Sequence, residues 1–209
     1  AIDGVIDDYD KTNIGSPMPK FTFGWTNTFR YKNFDLSVFI NGSYGNKVYN
    51  YLSMKLTHMN SPWTNQLNAV NGRAQLVPIN PNKVYEDGTM WYNDVSNVMV
   101  ANPGASIPRA TINDPNDNDR ISDRYIEDGS YIRLKNISLG YTFPKKTIDK
   151  LGLSNLRIYA NIQNLLTITG YDGYDPEIGA STSSVNVYGL DNGRYPSPTV
   201  YSFGLNVSF

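Results

Sequence analysis

The sequence predicts an all-β fold, an antiparallel transmembrane β-barrel of which this chain forms the last five strands. Three observations carry the prediction. Apolar and polar residues alternate strictly at the end of the chain, two segments near its beginning keep that alternation when paired as a hairpin, and short connections alternate with long ones. Strands with one apolar and one polar face are typical of a sheet that separates lipid from water.

Residues 199–209 form the clearest strand. Apolar side chains occupy every second position, at Tyr201, Phe203, Leu205, Val207 and Phe209. The positions between them hold Ser202, Gly204, Asn206 and Ser208. At about 3.3 Å per residue this segment spans ~36 Å, and a tilt of ~45° leaves ~25 Å of height, which matches the apolar band of a bilayer.

The same alternation predicts the other strands, and the full set is 21–31, 34–44, 131–143, 155–165 and 199–209. A two-residue turn at 32–33 joins the first two strands and sets Tyr31 opposite Phe34. With this register one face of the hairpin is apolar except for Asn27, and the other is polar except for Phe39. A slip of one residue would mix both faces, so turn and pattern support each other.

The apolar residues of the third predicted strand change parity along its length. Ile132 and Leu134 lie on one parity, whereas the apolar positions from Ile137 onward lie on the other. We therefore expect a β-bulge near Lys135 and Asn136, or a departure from the membrane there.

The fourth predicted strand carries four polar side chains on one face, and these are Arg157, Tyr159, Asn161 and Gln163. We expect them to face the barrel interior, where they solvate the lumen or brace a plug.

Long loops are predicted at 1–20, 52–129 and 170–198. Bacterial barrels place short turns on the periplasmic side and long loops outside, so the alternation of connections orients all five strands and puts Phe209 at the periplasmic rim. About eight strands are needed to close a barrel. We expect the chain to be the end of a longer one, or to assemble with other copies.

Composition excludes several classes of protein. The 209 residues include no cysteine, which excludes disulfides, thiol catalysis and thiolate metal sites. The net charge is -1 with no basic stripe, so a nucleic-acid partner is not expected. The chain begins with Ala1, without an initiator methionine or a signal peptide, which indicates a mature fragment.

Several motifs resemble the C-terminal part of SusC/RagA-type TonB-linked outer-membrane proteins. They lie at 13–24, 33–37, 122–144, 158–165 and 170–177. The stretch SDRYIEDGSYIRLKNISLGYTFP at 122–144 is the most specific of them. The resemblance covers the chain except for the long loop at about 51–113.

The resemblance implies a 22-stranded barrel with an N-terminal plug in the outer membrane of a Gram-negative bacterium. It also implies a SusD-like surface lipoprotein as partner, import of oligosaccharide or peptide cargo, and energy supplied by the TonB complex. The plug and the segment that contacts TonB, which the family carries N-terminal to the barrel, are absent from this sequence, so we do not expect this piece alone to transport. Outer-membrane lipid is the partner that the strands themselves predict.

Calcium is the one cofactor that a motif suggests. Residues 3–10 match the second half of an EF-hand loop, with ligands at Asp3, the Val5 carbonyl, Asp7 and Asp10. The first two ligands of such a loop would lie upstream of Ala1. The competing interpretation is an acidic, solvated loop.

Exposed aromatic rings in the loops are the candidates for stacking on sugars, and these are Trp63, Trp91, Tyr92, Tyr171 and Tyr174. The competing interpretation is that they pack within their own loops.

No enzyme is predicted. His58 has no nucleophile and acid at suitable spacing and is interpreted as a loop side chain. Residues 114–119 are interpreted as a turn cluster. A glycosidase acid/base pair needs two carboxyl groups about 5–9 Å apart across a cleft, and the sequence does not show such a distance. The loop carboxylates that could supply one are Glu127, Asp128, Asp172, Asp175 and Glu177.

The alternative fold and function is a soluble all-β carbohydrate-binding or adhesin module. In that case the alternating faces would pack as a sandwich and bury the apolar one.

Overall fold

The computed structural model describes residues 6–114, 116–178 and 187–209. Its strands are β1 (Phe21–Tyr31), β2 (Phe34–Tyr44), β3 (Lys47–Asn50), β4 (Leu76–Pro78), β5 (Val98–Val100), β6 (Ile126–Asp128), β7 (Tyr131–Thr142), β8 (Asn155–Thr169), β9 (Leu190–Asp191) and β10 (Val200–Ser208). Its helices are α1 (Tyr51–Thr57) and α2 (Lys145–Ile148). In the described ranges no helix has the length and apolar character needed to cross a membrane.

The chain forms two compact units. Residues 1–12 and 51–125 make up the first, which contains α1 and the paired strands β4 and β5. Residues 13–50 and 126–209 make up the second, which holds the main sheet and a small sheet of β6, β3 and β9.

The main sheet is five-stranded and antiparallel, in the order β1-β2-β7-β8-β10. Its strands are the five that the sequence predicts. Among the described residues β1 and β10 each pair with a single strand, so the sheet has two open edges and does not close into a barrel. The end at which β1 turns into β2 is called the hairpin end, and the opposite end, where β1 begins, the loop end.

The register of the β1–β2 hairpin is the predicted one. Tyr31 lies opposite Phe34 and the ladder continues without a shift to Phe21 opposite Tyr44. Lys32, the first turn residue, has φ of 52°, as a turn that matches the right-handed twist of a hairpin requires.

The predicted bulge is present. Between Leu134 and Asn136 the pairing of β7 shifts against both neighbouring strands. Lys135 is the extra residue opposite β2, and Asn164, with φ of 52°, lies at the shift on β8. The shift returns Leu134 to the apolar face, opposite Ile40.

The predicted end of the fourth strand is wrong. The sequence predicts a strand at 155–165, but β8 continues to Thr169. Alternation fails locally because Asn164 takes an apolar position and Leu165 a polar one, but Leu166 and Ile168 keep the parity of Ile162 and pair with Leu134 and Ile132 on the apolar face. The segment at 52–129, predicted as irregular, also contains α1 and the short strands β4, β5 and β6.

Little of the apolar surface is buried. The buried apolar side chains of the described residues are Val48, Met54, Tyr125, Ile148 and Tyr171, and none of them belongs to the main sheet. The main sheet therefore buries no apolar side chain, although the polar side chain of Arg133 on β7 is buried.

Gly42 on β2 offers a test of this packing. A Cβ there would lie 2.5 Å from the ring of Phe23 and 2.6 Å from the carbonyl oxygen of Tyr131. We expect Gly42→Ala to lower the free energy of unfolding by about 1–3 kcal/mol, because backbone cannot yield as a flexible side chain does. Denaturant titration of the full-length protein measures this change in the free energy of unfolding. Gly170→Ala is the control, since no atom lies within 4 Å of its added Cβ, and equal effects of the two changes would contradict the packing described here.

Candidate functional site

The apolar face of the main sheet is exposed on the outer strands β1 and β10 and partly exposed on the three strands between them. Trp25 at the middle of β1 is 58% exposed, and Phe203 at the middle of β10 is 83% exposed. A soluble sandwich would bury such a face, since each large aromatic side chain contributes about 1.5–3 kcal/mol when it leaves water. The exposure therefore counts against the soluble module and favours a surface that meets an apolar solvent.

Aromatic rings concentrate at the two ends of this face. At the hairpin end the ring of Tyr141 lies 4.7 Å from Phe34 and 5.0 Å from Phe143, between centroids. At the loop end the rings of Phe21 and Tyr44 stack at 5.4 Å. Aromatic belts at the two ends of an apolar face are typical of a strand set that spans a bilayer, although here Trp25 and Phe203 also lie between the belts.

The polar face carries an ion pair that crosses a strand. Arg157 on β8 binds Asp35 on β2, with Nη2 2.6 Å from Oδ2, although β7 lies between them. Gly140 on β7 makes room for the pair, because a Cβ there would lie 2.2 Å from Nη2 of Arg157. Asp35 lies opposite Arg30 in the predicted register, but its ion pair is with Arg157.

The predicted polar residues of β8 lie on this same face. Arg157 pairs with Asn206 and Asn161 with Ser202, whereas the alternate positions pair apolar with apolar. The ring of Tyr159 covers Gly204, whose added Cβ would lie 2.1 Å from it. Whether these side chains solvate a lumen or brace a plug stays a prediction.

A cluster of charges ties the segment 170–178 to the loop end of the sheet, and we call it the loop clamp. Its centre is Arg133 on β7, which is 3% exposed. The guanidinium donates to the carboxylate of Asp175, to Oε2 of Glu177 at 2.7 Å and to Oγ1 of Thr167 at 2.8 Å. Lys135 donates to the same oxygen of Glu177 at 2.7 Å. The charged residues of the clamp thus come from two of the motifs that carry the resemblance, 122–144 and 170–177.

Asp175 is satisfied on all sides. Besides Arg133, it accepts hydrogen bonds from the backbone N–H groups of Glu177 at 2.9 Å and Ser197 at 3.0 Å. Burial raises the pKa of Asp175, but the hydrogen bonds from Arg133 and the two N–H groups outweigh it and hold the pKa below the usual 3.8. A carboxylate so bound serves as a structural acceptor, which leaves it unsuited to the glycosidase pair that the sequence raised.

A second part of the clamp holds the segment to the small sheet. Tyr171 donates its hydroxyl to Oδ2 of Asp191 at 2.6 Å, and both side chains are buried. Burial, and next the hydrogen bond to Asp191, raise the pKa of Tyr171. Glu127 accepts from the Asn50 side chain and from the backbone N–H of Asp172, each at 2.9 Å.

Of the predicted stacking residues, Tyr171 is placed differently from the expectation. It is 5% exposed and committed to Asp191, so the expectation of an exposed ring is wrong. The reason is that an interior acceptor satisfies its hydroxyl, which sequence spacing does not reveal. Trp63 and Tyr174 are 92% and 65% exposed, and Trp91 forms an edge-to-face pair with Tyr92 at 5.7 Å. Their binding of a ligand stays a prediction.

Two of the predicted calcium ligands, Asp3 and Val5, lie outside the described residues. Asp7 and Asp10 flank an exposed 3₁₀ turn and bind its backbone, since Asp7 accepts from the N–H of Tyr9 at 2.8 Å and Asp10 accepts from the N–H of Asp7 at 3.0 Å. Calcium binding at this loop stays a prediction.

Sequence reasoning missed one constellation. His58, interpreted as an ordinary loop side chain, lies beside Asp114 and Asp119 in the first unit. His58 is more than fifty residues from the two aspartates, so no local motif in the sequence predicts that they lie together. The only sequence signal is that the single histidine and an acidic turn fall in the same long loop.

The comparisons with known proteins agree with these features. No protein-family model matches the chain. Over 99% of its length it is 36% identical to TonB-dependent receptor P3 of Formosa agariphila. It is 29% identical, again over 99% of its length, to TonB-dependent receptor SusC of Bacteroides thetaiotaomicron. The chain spans 18% and 17% of the lengths of these two relatives.

Solved structures with a similar fold include that of the RagAB peptide transporter. It matches 94% of this chain, and 18% of its own chain, with a TM-score of 0.67 at 20% identity. The RagAB peptide importer in the open-open state matches 93% of this chain, and 18% of its own, with a TM-score of 0.61 at 18% identity. The resemblance to SusC/RagA-type TonB-linked outer-membrane proteins is thereby confirmed.

The loop clamp can be tested at Arg133. We expect Arg133→Ala to lower the free energy of local opening of segment 171–177 by about 3 kcal/mol, because it leaves Asp175 as a buried charge without its partner. Amide hydrogen exchange of that segment measures the change. Lys135→Ala is the control and should cost less than about 1 kcal/mol, since Arg133 still holds Glu177. Similar exchange in both variants would refute the clamp.

The clamp should also respond to acid. The pKa of Asp175 is lower in the folded chain than its ordinary 3.8, so its contribution is fully present above that value and is lost as pH falls through the folded pKa. We expect exchange in 171–177, corrected for the intrinsic pH dependence, to stay constant from neutral pH to about pH 5 and to rise below 3.8. Asp175→Asn should remove that rise, and a rise that persists in this variant would assign it to another group.

Proposed function

We propose that this chain, as a relative of TonB-dependent receptors, is the C-terminal part of the barrel of an outer-membrane nutrient importer of the SusC type. It supplies barrel wall through β1, β2, β7, β8 and β10, and it supplies extracellular loops through the connections between them. The remaining strands of a 22-stranded barrel, the plug and the TonB-contacting segment belong to other parts of the protein in this proposal.

The observation that carries the proposal is the exposed apolar face. It runs across all five strands, ends in an aromatic belt at each rim, and lies opposite a face with ion pairs and amides. In water such a face would be an aggregation liability, whereas in a bilayer it is solvated by acyl chains.

The lengths of the connections support an orientation. Two residues join β1 to β2, whereas long segments join β2 to β7 and β8 to β10. Short turns lie on the periplasmic side of bacterial barrels, so the hairpin end is the periplasmic end and the loop clamp is extracellular.

Partners and cargo follow from the relatives. A SusD-like surface lipoprotein would meet the extracellular loops, and the TonB complex would act through the N-terminal part of the protein. Relatives include a SusC receptor and the RagAB peptide transporter, so the cargo is proposed as an oligosaccharide or a peptide. Trp63, Trp91 and Tyr174 are the rings proposed to contact it. Tyr171 is not among them, because its side chain is buried.

The soluble carbohydrate-binding or adhesin module is the other candidate. No observation favours it over the barrel, because its central requirement is a buried apolar face. The two candidates differ in where the folded protein is found and in whether its gel migration shifts on boiling, and both properties can be measured.

Phe203→Arg and Ser202→Arg form a matched pair on β10, since the first side chain lies on the apolar face and the second on the polar face. In the full-length protein in its native membrane, we expect Phe203→Arg to cost about 2–4 kcal/mol and to reduce the folded, heat-modifiable outer-membrane form, because arginine would meet acyl chains. Ser202→Arg should keep that form. Gel migration before and after boiling measures both.

A soluble module would bury Phe203 in the core of a sandwich, so Phe203→Arg would destabilise it as well. The parent protein and Ser202→Arg would then be soluble, outside the membrane fraction and without a heat-dependent shift. That outcome would refute the importer.

A further inference from the structure

The first unit contains a group of three side chains that the importer proposal does not use. His58 directly follows α1, and its backbone N–H caps that helix through the carbonyl of Met54 at 3.0 Å. Asp114 and Asp119 come from a turn more than fifty residues later in the chain. The side chains of His58 and Asp114 are 10% and 9% exposed.

The distances among the three side chains fit the ligands of one metal ion. One ligand atom from each residue can be chosen so that all three lie within 4.8 Å of one another. A metal ion with bonds of about 2.0–2.2 Å separates its ligand atoms by up to roughly 4 Å, so the side chains would have to close in by up to about 1 Å to complete the set.

The imidazole has an unmet group. Nε2 lies 2.8 Å from Oδ2 of Asp114, at hydrogen-bond distance. Nδ1 faces Oδ2 of Asp119 at 3.8 Å, and within the described ranges it has no hydrogen bond. A gap of that length is too wide for a hydrogen bond and suits two ligands that share an ion.

Asp114 is held in place by a neighbouring residue. Asn118 donates its side-chain amide to Oδ1 of Asp114 at 2.5 Å and its backbone N–H to Oδ2 at 2.6 Å. The carbonyl of Asn118 in turn accepts from the buried hydroxyl of Tyr125 at 3.0 Å. Metal-binding carboxylates are typically oriented by such outer hydrogen bonds, which raise affinity by fixing the ligand beforehand.

A cavity of about 10 Å³ adjoins the group, lined by His58, Asp114 and Asn118 among others. That volume is about the size of one water molecule or one small ion. Asp119 does not line this cavity. The site therefore has three ligand atoms within 4.8 Å of one another, hydrogen bonds that orient Asp114, and space beside His58 and Asp114.

We propose that His58, Asp114 and Asp119 bind one divalent ion of the zinc type. A single imidazole nitrogen with two carboxylate oxygens is a ligand set that zinc accepts, and a water molecule would complete four-coordination. Because the ligands come from distant parts of one long loop, the bound ion would close that loop and stabilise the first unit. The function is structural and independent of the cargo.

The test uses the full-length protein in detergent, without a polyhistidine tag, after treatment with a chelator. Calorimetric titration with zinc chloride should show one site that Asp119→Asn removes. The loss should exceed the 10–100-fold that outer-shell changes typically cause. Asp119 is chosen because its side chain is 40% exposed, so the change should not disturb folding.

Asp117→Asn is the matched control, since Asp117 lies in the same turn and is 80% exposed but is not in the group. It should bind zinc like the parent protein. His58→Gln provides the second variant, because glutamine can still donate to Asp114 but offers no ring nitrogen. Cobalt in place of zinc should give a visible absorption band in the parent protein and in Asp117→Asn, and no such band in Asp119→Asn or His58→Gln.

Equal zinc affinity in the parent protein and in Asp119→Asn would overturn the proposal. So would an absence of binding, and in that case His58 would be an imidazole held between two carboxylates. Neither result bears on the importer, which the arginine substitutions on β10 test separately.

Discussion

The two-residue turn between β1 and β2 fixes the register on which the rest of the sheet depends. Once Tyr31 lies opposite Phe34, every apolar residue of β1 faces an apolar residue or Gly42 on β2, with Asn27 opposite Val38 as the exception. β7 continues the same face by pairing Leu139 with Leu36. A shift of one residue would put aromatic rings on the polar face and charges on the apolar one, so the register has a large energy gap to its nearest competitor.

The bulge at Lys135 resolves a conflict between that register and the needs of the loops. Without it, Ile132 and Leu134 would lie on the polar face and Arg133 on the apolar one. The extra residue exchanges them, so the apolar face continues to the loop end and Arg133 points toward Asp175. One local irregularity thus serves both the continuous apolar face and the clamp, and bulges commonly redirect a side chain in this way.

The sequence predicts the sheet well because its alternation is a local property with a period of two. The strands, the hairpin register and the bulge follow from it. The loops are predicted less well, because their structure rests on contacts between distant residues. The buried Tyr171 donates a hydrogen bond to Asp191, and His58 contacts Asp114 more than fifty residues later in the chain. Neither contact produces a periodic pattern in the sequence. The alternation does not predict the continuation of β8 to Thr169, because Asn164 and Leu165 lie on the wrong parities just before it.

The clamp also explains why an exposed ring in segment 170–178 can serve recognition better than one in an unsupported loop. Ordering a free loop on binding costs about 0.5–1.5 kcal/mol for each immobilised side chain, in addition to the backbone cost. Tyr174 is exposed, yet its neighbour Asp175 is bound to Arg133 and to the backbone of Ser197. The backbone beside Tyr174 is therefore already ordered in the folded chain. A ligand that stacked on the ring would lose binding free energy only to the immobilisation of that side chain. A buried ion pair adds little to global stability. The pair of Arg133 and Asp175 instead holds the backbone that carries the exposed ring of Tyr174.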